Sequence, residues 1–218
     1  MTWVLGIDVG GTNLVVGAVK EDGSRIVGEH SRPTNASRGP DSVIDELVTM
    51  SRTTMDELAR TVPGATVTGV GAGAPGPLDR RTGIIALTPN LGWVNMPLRD
   101  RLADGIGLPA AIDNDANCAI LGECWVGAGR EGSNVLGITI GTGIGGGIVL
   151  DGSVHHGASD AAGEIGHVTI DLDGRRCGCG NYGCVEAYAA GPAIALRAVE
   201  EVQAGAPSML SEMTGGDL

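Results

Sequence analysis

Aromatic side chains are scarce: the 218 residues include three Trp, two Tyr and no Phe. Basic residues are also few, 14 Lys and Arg against 26 Asp and Glu, for a formal net charge of -12. A surface of that sign repels phosphate backbones, and five rings offer little platform for stacked bases, so nucleic acid is not an expected partner. No basic start or uninterrupted apolar region follows Met1, only the strand-like Trp3-Val4-Leu5-Gly6-Ile7. That pattern predicts no signal peptide and a cytoplasmic protein. The longest uncharged run, Gly132 to Leu150, is broken by repeated glycines and by Ser133, Asn134, Thr139 and Thr142. It reads as two strands around a turn, so no membrane partner is expected. Cysteine is limited to five residues, an odd number that argues against a closed disulfide framework.

Glycine, by contrast, is abundant. Its 38 residues are more than twice the usual share of about 7%, while glycine and proline together stay below the range of about 25–30% that marks low complexity. The length is ample for a buried core.

Along the chain, strands are predicted at Val4–Val9, Leu14–Val19 and Ile26–Glu29, joined by turns at Gly10-Gly11 and Asp22-Gly23. From Ser42 the apolar period becomes helical and runs to Val62, with Ser42 and Asp45 approximating a capping box. A strand at 67–72, a turn-rich Ala74-Pro75-Gly76-Pro77 and a short helix at 98–103 ending at Gly105 follow. Next come a strand at 110–112, a helix opening near Asn114, paired strands at 135–140 and 144–150, and a last helix at 192–204. Strands alternating with helices indicate an α/β fold. Domains are expected at 1–112 and 113–218.

The hairpin pattern occurs twice: LGIDVG from Leu5 and LGITIG from Leu136, each leading into a glycine/threonine turn and a β-branched strand. Glycines let bare backbone N–H groups approach an anion, so two such turns can hold a polyphosphate, although either alone also reads as a tight hairpin. Asp8, beside the first turn, is placed to approach a Mg2+ carried by phosphates, or simply to cap the turn.

His167, Cys177, Cys179 and Cys184 form the strongest local signal. Three thiolates and an imidazole satisfy tetrahedral zinc and leave no open position, which predicts a structural metal. Glu164 and Glu186 flank this loop and read equally as fixed acceptors for sugar hydroxyls or as solvated glutamates. Cys118 and Cys124 read as small apolar groups of a helix. The segment Asp113-Asn114-Asp115-Ala116-Asn117 ends a strand and opens a helix. That position suits a ligand at the carboxyl end of a sheet, though Asn and Asp there are also common N-caps. His30, His155 and His156 have no interpretable partner spacing.

These segments together resemble the ROK family (repressors, open reading frames and kinases), most closely its bacterial glucokinases. The matching stretches are GIDVGGTN near residue 6, GAGAPGPLD from Gly71, TPNLGW from Thr88, IDNDANCAILGE from Ile112, GTGIGGGIV from Gly141, and GEIGHVTI through CGCGNYGCVEAY from Gly163. The resemblance implies an actin/hexokinase-like (ribonuclease H-like) two-domain fold in which sugar and ATP meet in the cleft. It implies an ATP-dependent hexose kinase of glycolysis, with glucose the first expected substrate and N-acetylmannosamine, N-acetylglucosamine or fructose as alternatives on the same scaffold; a non-catalytic sugar-binding protein is the other reading. By resemblance Asp115 is the base that takes the proton of the sugar 6-hydroxyl. Asn90, Asn114, Glu164, His167 and Glu186 bind sugar, and Gly10, Gly11, Thr12, Gly141, Thr142 and Gly143 hold phosphates, with Mg2+ and structural Zn2+ as cofactors. A homo-oligomer, dimer or tetramer, is expected. Family repressors carry a helix-turn-helix domain before the first hairpin, where this sequence has five residues before Gly6. Family members also continue through an adenine-packing glycine-rich segment and a final helix. The sequence reaches Leu218 without them, so the second domain is expected to be truncated at the C-terminus and ATP to be held chiefly by its phosphates.

Overall fold

A computed structural model describes residues 1–215; Gly216, Asp217 and Leu218, at the close of the expected second domain, lie outside the described residues. The chain opens with β1 (Thr2–Val9), β2 (Asn13–Lys20), β3 (Ile26–Pro33), α1 (Pro40–Thr61) and β4 (Thr66–Ala74). Then come β5 (Leu78–Asp79), β6 (Ile84–Thr88), β7 (Trp93–Met96), α2 (Leu98–Ile106), β8 (Ala110–Asn114) and α3 (Asp115–Val126). It continues with β9 (Val135–Ile140), β10 (Ile144–Leu150), β11 (Ser153–Val154), α4 (Glu186–Ala189), α5 (Gly191–Gln203) and α6 (Met209–Met213). Contacts divide the chain into two compact units, Met1–Val135 with Ile148–Ala162, and Leu136–Gly147 with Gly163–Leu218.

The first unit is built on a five-stranded sheet of order β3-β2-β1-β4-β8. The β1–β2 and β2–β3 pairs are antiparallel, whereas β1–β4 and β4–β8 are parallel, so β1 carries both kinds of neighbour. Period-two alternation places Trp3, Leu5, Ile7 and Val9 of β1, and Leu14, Val16 and Ala18 of β2, in the core. Helix α1 covers this face with Val43, Ile44, Leu47, Met50 and Leu58, the helical spacing of an amphipathic stripe.

Its start differs from the predicted capping box. The N-cap is Gly39, at φ +89°, and Pro40 takes the first turn, so Ser42 and Asp45 already lie inside the helix and make no cap. Proline's fixed φ and missing N–H suit that position. The end of α2 also moves, from Gly105 to the left-handed Gly107. Gly105 stays inside the helix, where the missing side chain lets α1 come close: a Cβ there would lie 2.5 Å from Val48 Cγ2. The turn-rich stretch after Pro75 contains an antiparallel sheet, β5-β6-β7, whose strands of two to five residues are too short to show a period.

In the second unit, β9 and the start of β10 enclose the Gly141–Gly143 turn, followed by a 3-10 turn at Ile165–His167 and the helices α4 to α6. Among the described residues no helix is long and apolar enough to cross a membrane.

Candidate active site and metal centre

In the first unit, the turn from β1 to β2 is closed by Gly10 N–H donating to the Asn13 carbonyl at 3.0 Å. A Cβ on Gly10 would sit 2.6 Å from that same oxygen, so the turn requires glycine. Thr34, buried at the end of β3 and missed in the sequence, straps the turn from behind. Its Oγ1 donates to the Gly10 carbonyl at 2.6 Å and its N–H to the Thr12 carbonyl at 2.9 Å. Gly11 and Thr12 remain exposed, and the Asn90 side chain stands over Gly11, 3.3 Å from where a Cβ would be.

At the end of β8 the two readings of Asn114 and Asp115 separate. Asn114 Oδ1 accepts the N–H groups of Ala116 and Asn117 at 2.9 and 3.2 Å, so Asn114 is the cap of α3. Asp115 is the first helical residue, exposed, with Oδ1 accepting only the adjacent Ala116 N–H at 2.8 Å. Capping is therefore done without it.

Asp8 reaches solvent, yet partial burial of its carboxyl, and then the charge of Asp115, raise its pKa above the usual carboxylate value. The two carboxylates thus lie in one field. A hard divalent cation takes such oxygen donors and would offset their repulsion, so Asp8 fits the Mg2+ role. Cys118 reports the same field: burial, then Asp113, Asp115 and Asp8, push its thiol up to about 12. It stays protonated and unreactive at neutral pH.

Sequence reasoning also missed the contact of His156 Nε2 with Asp113 Oδ2, at 2.7 Å. The two residues are 43 positions apart and share no motif spacing.

In the second unit, Gly141 N–H donates to the Gly143 carbonyl and Gly191 N–H to the Gly141 carbonyl, both at 2.9 Å, leaving Gly141 and Thr142 exposed at the tip. Glu186 Oε2 accepts the Ile144 N–H at 2.8 Å. Glu164 is exposed, with its Oε2 3.9 Å from His167 Nε2.

The four metal candidates converge. One donor atom from each of His167, Cys177, Cys179 and Cys184 lies within 4.8 Å of all the others. Cys179 and Cys184 Sγ are 3.8 Å apart, and Cys177 Sγ is 3.7 Å from His167 Nδ1. Thiolates about 2.3 Å from zinc in tetrahedral array are separated by about 3.8 Å, so the donor set fits that ion. With Nδ1 facing the sulfurs, Nε2 is left on the Glu164 side. The loop is shaped by Gly183, at φ +68°, where a Cβ would fall 1.6 Å from the Asp171 carbonyl oxygen. Cys177 N–H donates to the Asn181 carbonyl and Gly180 N–H to the Cys177 carbonyl, at 2.8 and 3.0 Å. Cys124, outside this set, is half-buried in α3.

Comparison with known proteins identifies the family. The sequence matches the ROK family over residues 4–214. It is 40% identical over 215 residues to a glucokinase of Halalkalibacterium halodurans, covering 96% of this chain and 63% of that protein. It is 33% identical over 190 residues to a xylose repressor of Bacillus subtilis, covering 87% of this chain and 48% of the repressor. Among solved structures, a ROK family glucokinase from Streptomyces griseus in complex with glucose and AMPPNP superposes with a TM-score of 0.81 at 33% identity, covering 99% of this chain and 66% of that one. The chain thus spans about two thirds or less of the length of these relatives. With the doubled glycine hairpin, the parallel and antiparallel neighbours of β1 and the match running from residue 4 to 214, this α/β chain of hexokinase fold belongs to the ROK family.

Proposed function

We propose that this chain carries the sugar-phosphorylating machinery of an ATP-dependent hexose kinase, with glucose as the first substrate to test. The observation that carries this reading is the division of labour at the start of α3. Asn114 does the capping, and the Asp115 carboxylate is left exposed beside Asp8. A carboxylate at a helix N-terminus is a weak base, but phosphoryl transfer through a loose transition state needs mainly an oriented hydroxyl whose proton is accepted late. Asp115 takes that proton from the sugar 6-hydroxyl. Asn90, Asn114, Glu164, His167 and Glu186 are the candidates for the other sugar hydroxyls.

Gly10, Gly11 and Thr12, with Gly141, Thr142 and Gly143, present backbone donors to the ATP phosphates, as exposed glycine turns can. Asp8 would hold a Mg2+ carried by the phosphates, which would supply neutralisation of charge on the transferred group. A structural Zn2+ on His167, Cys177, Cys179 and Cys184 would fix the loop that carries Glu164 and Glu186. The Streptomyces griseus relative, described with glucose and an ATP analogue, supports both the sugar and the nucleotide.

ADP release measured with ATP and a panel of glucose, mannose, fructose, N-acetylglucosamine and N-acetylmannosamine tests the proposal. Sugar-dependent ADP release with glucose preferred is the expected result. The xylose-repressor relatives favour one other reading, sugar binding without transfer. It would show as calorimetric sugar binding with no ADP released.

A further inference from the structure

Three consecutive polar residues run from the end of strand β8 into the first residue of α3, and of these the kinase reading uses Asn114 and Asp115. The third, Asp113, has both carboxylate oxygens engaged. Oδ1 accepts the backbone N–H of Asn114 at 2.8 Å and the side-chain amide of buried Asn117 at 3.1 Å. Oδ2 lies 2.7 Å from His156 Nε2, with Arg80 Nη1 at 4.0 Å. An ionised carboxylate only accepts, so the imidazole presents an N–H at Nε2. Asp113 therefore ties three pieces of chain together: the end of β8, the first turn of α3, and the loop after β11.

That loop is itself held in place. His155 N–H donates to the Ile148 carbonyl at 2.7 Å, and Ala162 N–H returns to the His156 carbonyl at 3.1 Å. Arg80, just after β5, binds the far side of the loop through Asp160, with Nε 3.3 Å from Oδ1 and its backbone N–H 3.4 Å from Oδ2. The His156 side chain is 13% exposed and that of Asp113 22%, so the contact is sheltered from competing water. Charge-assisted hydrogen bonds in such places are shorter and stronger than neutral ones.

We infer that His156 is a positioning residue for phosphoryl transfer: it holds the Asp113 carboxylate so that Asp113 can fix the Asn114–Asp115 turn. The inference rests on Asp115 being the base. Both Asp113 oxygens are engaged within the protein, and His156 acts only through it. The effect belongs to orientation, because a base displaced by a fraction of an ångström loses reactivity well before the sugar loses its hydroxyl contacts.

His156→Leu removes the donor at similar volume, His156→Asn supplies an amide too short to reach, and His156→Gln carries an N–H near the original Nε2. The Leu and Asn variants are expected to lose at least tenfold in kcat for hexose phosphorylation with KM for sugar changed less than threefold, and Gln to recover most of the loss. Hydrogen exchange of the Asn114 amide, read by NMR, is expected to accelerate at least fivefold in Leu and Asn and not in Gln. Equal kcat in all three variants, or a rise in KM with kcat intact, would overturn the inference. Should the parent protein phosphorylate no hexose, the kinase reading fails by itself, and the exchange measurement still decides: an Asn114 amide unaffected by His156→Leu and His156→Asn removes His156 from any positioning role.

Discussion

Glu186 Oε2 accepts the backbone N–H of Ile144 at 2.8 Å, so the first residue of α4 is tied to the first residue of β10, beside the Gly141–Gly143 turn. The approach is close enough that a Cβ on Gly143 would stand 2.6 Å from that oxygen. A residue proposed to bind sugar therefore also braces a turn proposed to bind phosphate, within one unit of the chain.

Glu186→Ala should lower stability by about 1.5–3 kcal/mol, the usual net range of a hydrogen bond to a charged group. Glu186→Gln keeps an oxygen acceptor and should lose less than half of that. Urea unfolding of the two variants checks this; equal losses would mean that the bond to Ile144 is not what the side chain contributes.

The zinc loop makes its own prediction. Freshly purified protein should carry one zinc per chain, and complete chelation should lower both its melting temperature and its sugar affinity, because the loop bearing Glu164 and Glu186 loses its clamp. Cys179→Ser should reproduce chelation, since a serine hydroxyl is a poor zinc ligand. Elemental analysis without zinc, together with melting unchanged by chelator, would contradict the assignment.

Much of this was legible in the residues. The period-two runs of β1 and β2, the helical stripe of α1 and the clustered Cys-Gly-Cys loop each write their structure locally. Misplaced boundaries came from competition between local signals: at α1, Pro40 after Gly39 overrides Ser42, and at α2, Gly105 makes room for Val48 while Gly107 takes the left-handed stop. Strands β5 to β7 are too short for a period to appear. Thr34 behind the Gly10 turn and His156 on Asp113 are contacts across the fold, and no spacing rule connects residues brought together only by the sheet. Asn114 and Asp115 lay between these cases, because sequence alone leaves open which of them caps α3.

Asp8 allows a test by pH. Its carboxyl has a raised pKa in the folded protein, from burial first and Asp115 second, so the folded state binds that proton more tightly than the unfolded one. Its contribution to stability is full below the ordinary carboxylate pKa and is lost as pH rises through the folded value. In chelator, Asp8→Asn should therefore melt at a higher temperature than the parent at neutral pH, with the difference disappearing toward about pH 3. The same variant should lose phosphoryl transfer if Asp8 serves the Mg2+. A variant less stable than the parent at neutral pH would show that the Asp8 charge is favourably held.

Asn114→Ala should cost about 0.5–2 kcal/mol of stability, the range for losing an N-cap, and should weaken sugar binding as well. Thermal or urea unfolding together with sugar titration checks both parts; a stability change near zero would contradict the assignment of the cap to Asn114.

The central claim, that Asp115 accepts the proton of the sugar hydroxyl, is tested most directly by the turnover of Asp115→Asn, with sugar affinity measured calorimetrically on the same protein. Because Asn114 makes the cap, the variant should fold and bind sugar nearly as the parent does. Its rate of sugar-dependent ADP release should fall by about 10²–10⁴-fold, the usual effect of removing a general base. Near-parental turnover accompanied by weakened sugar binding would contradict the account and make Asp115 a sugar ligand instead.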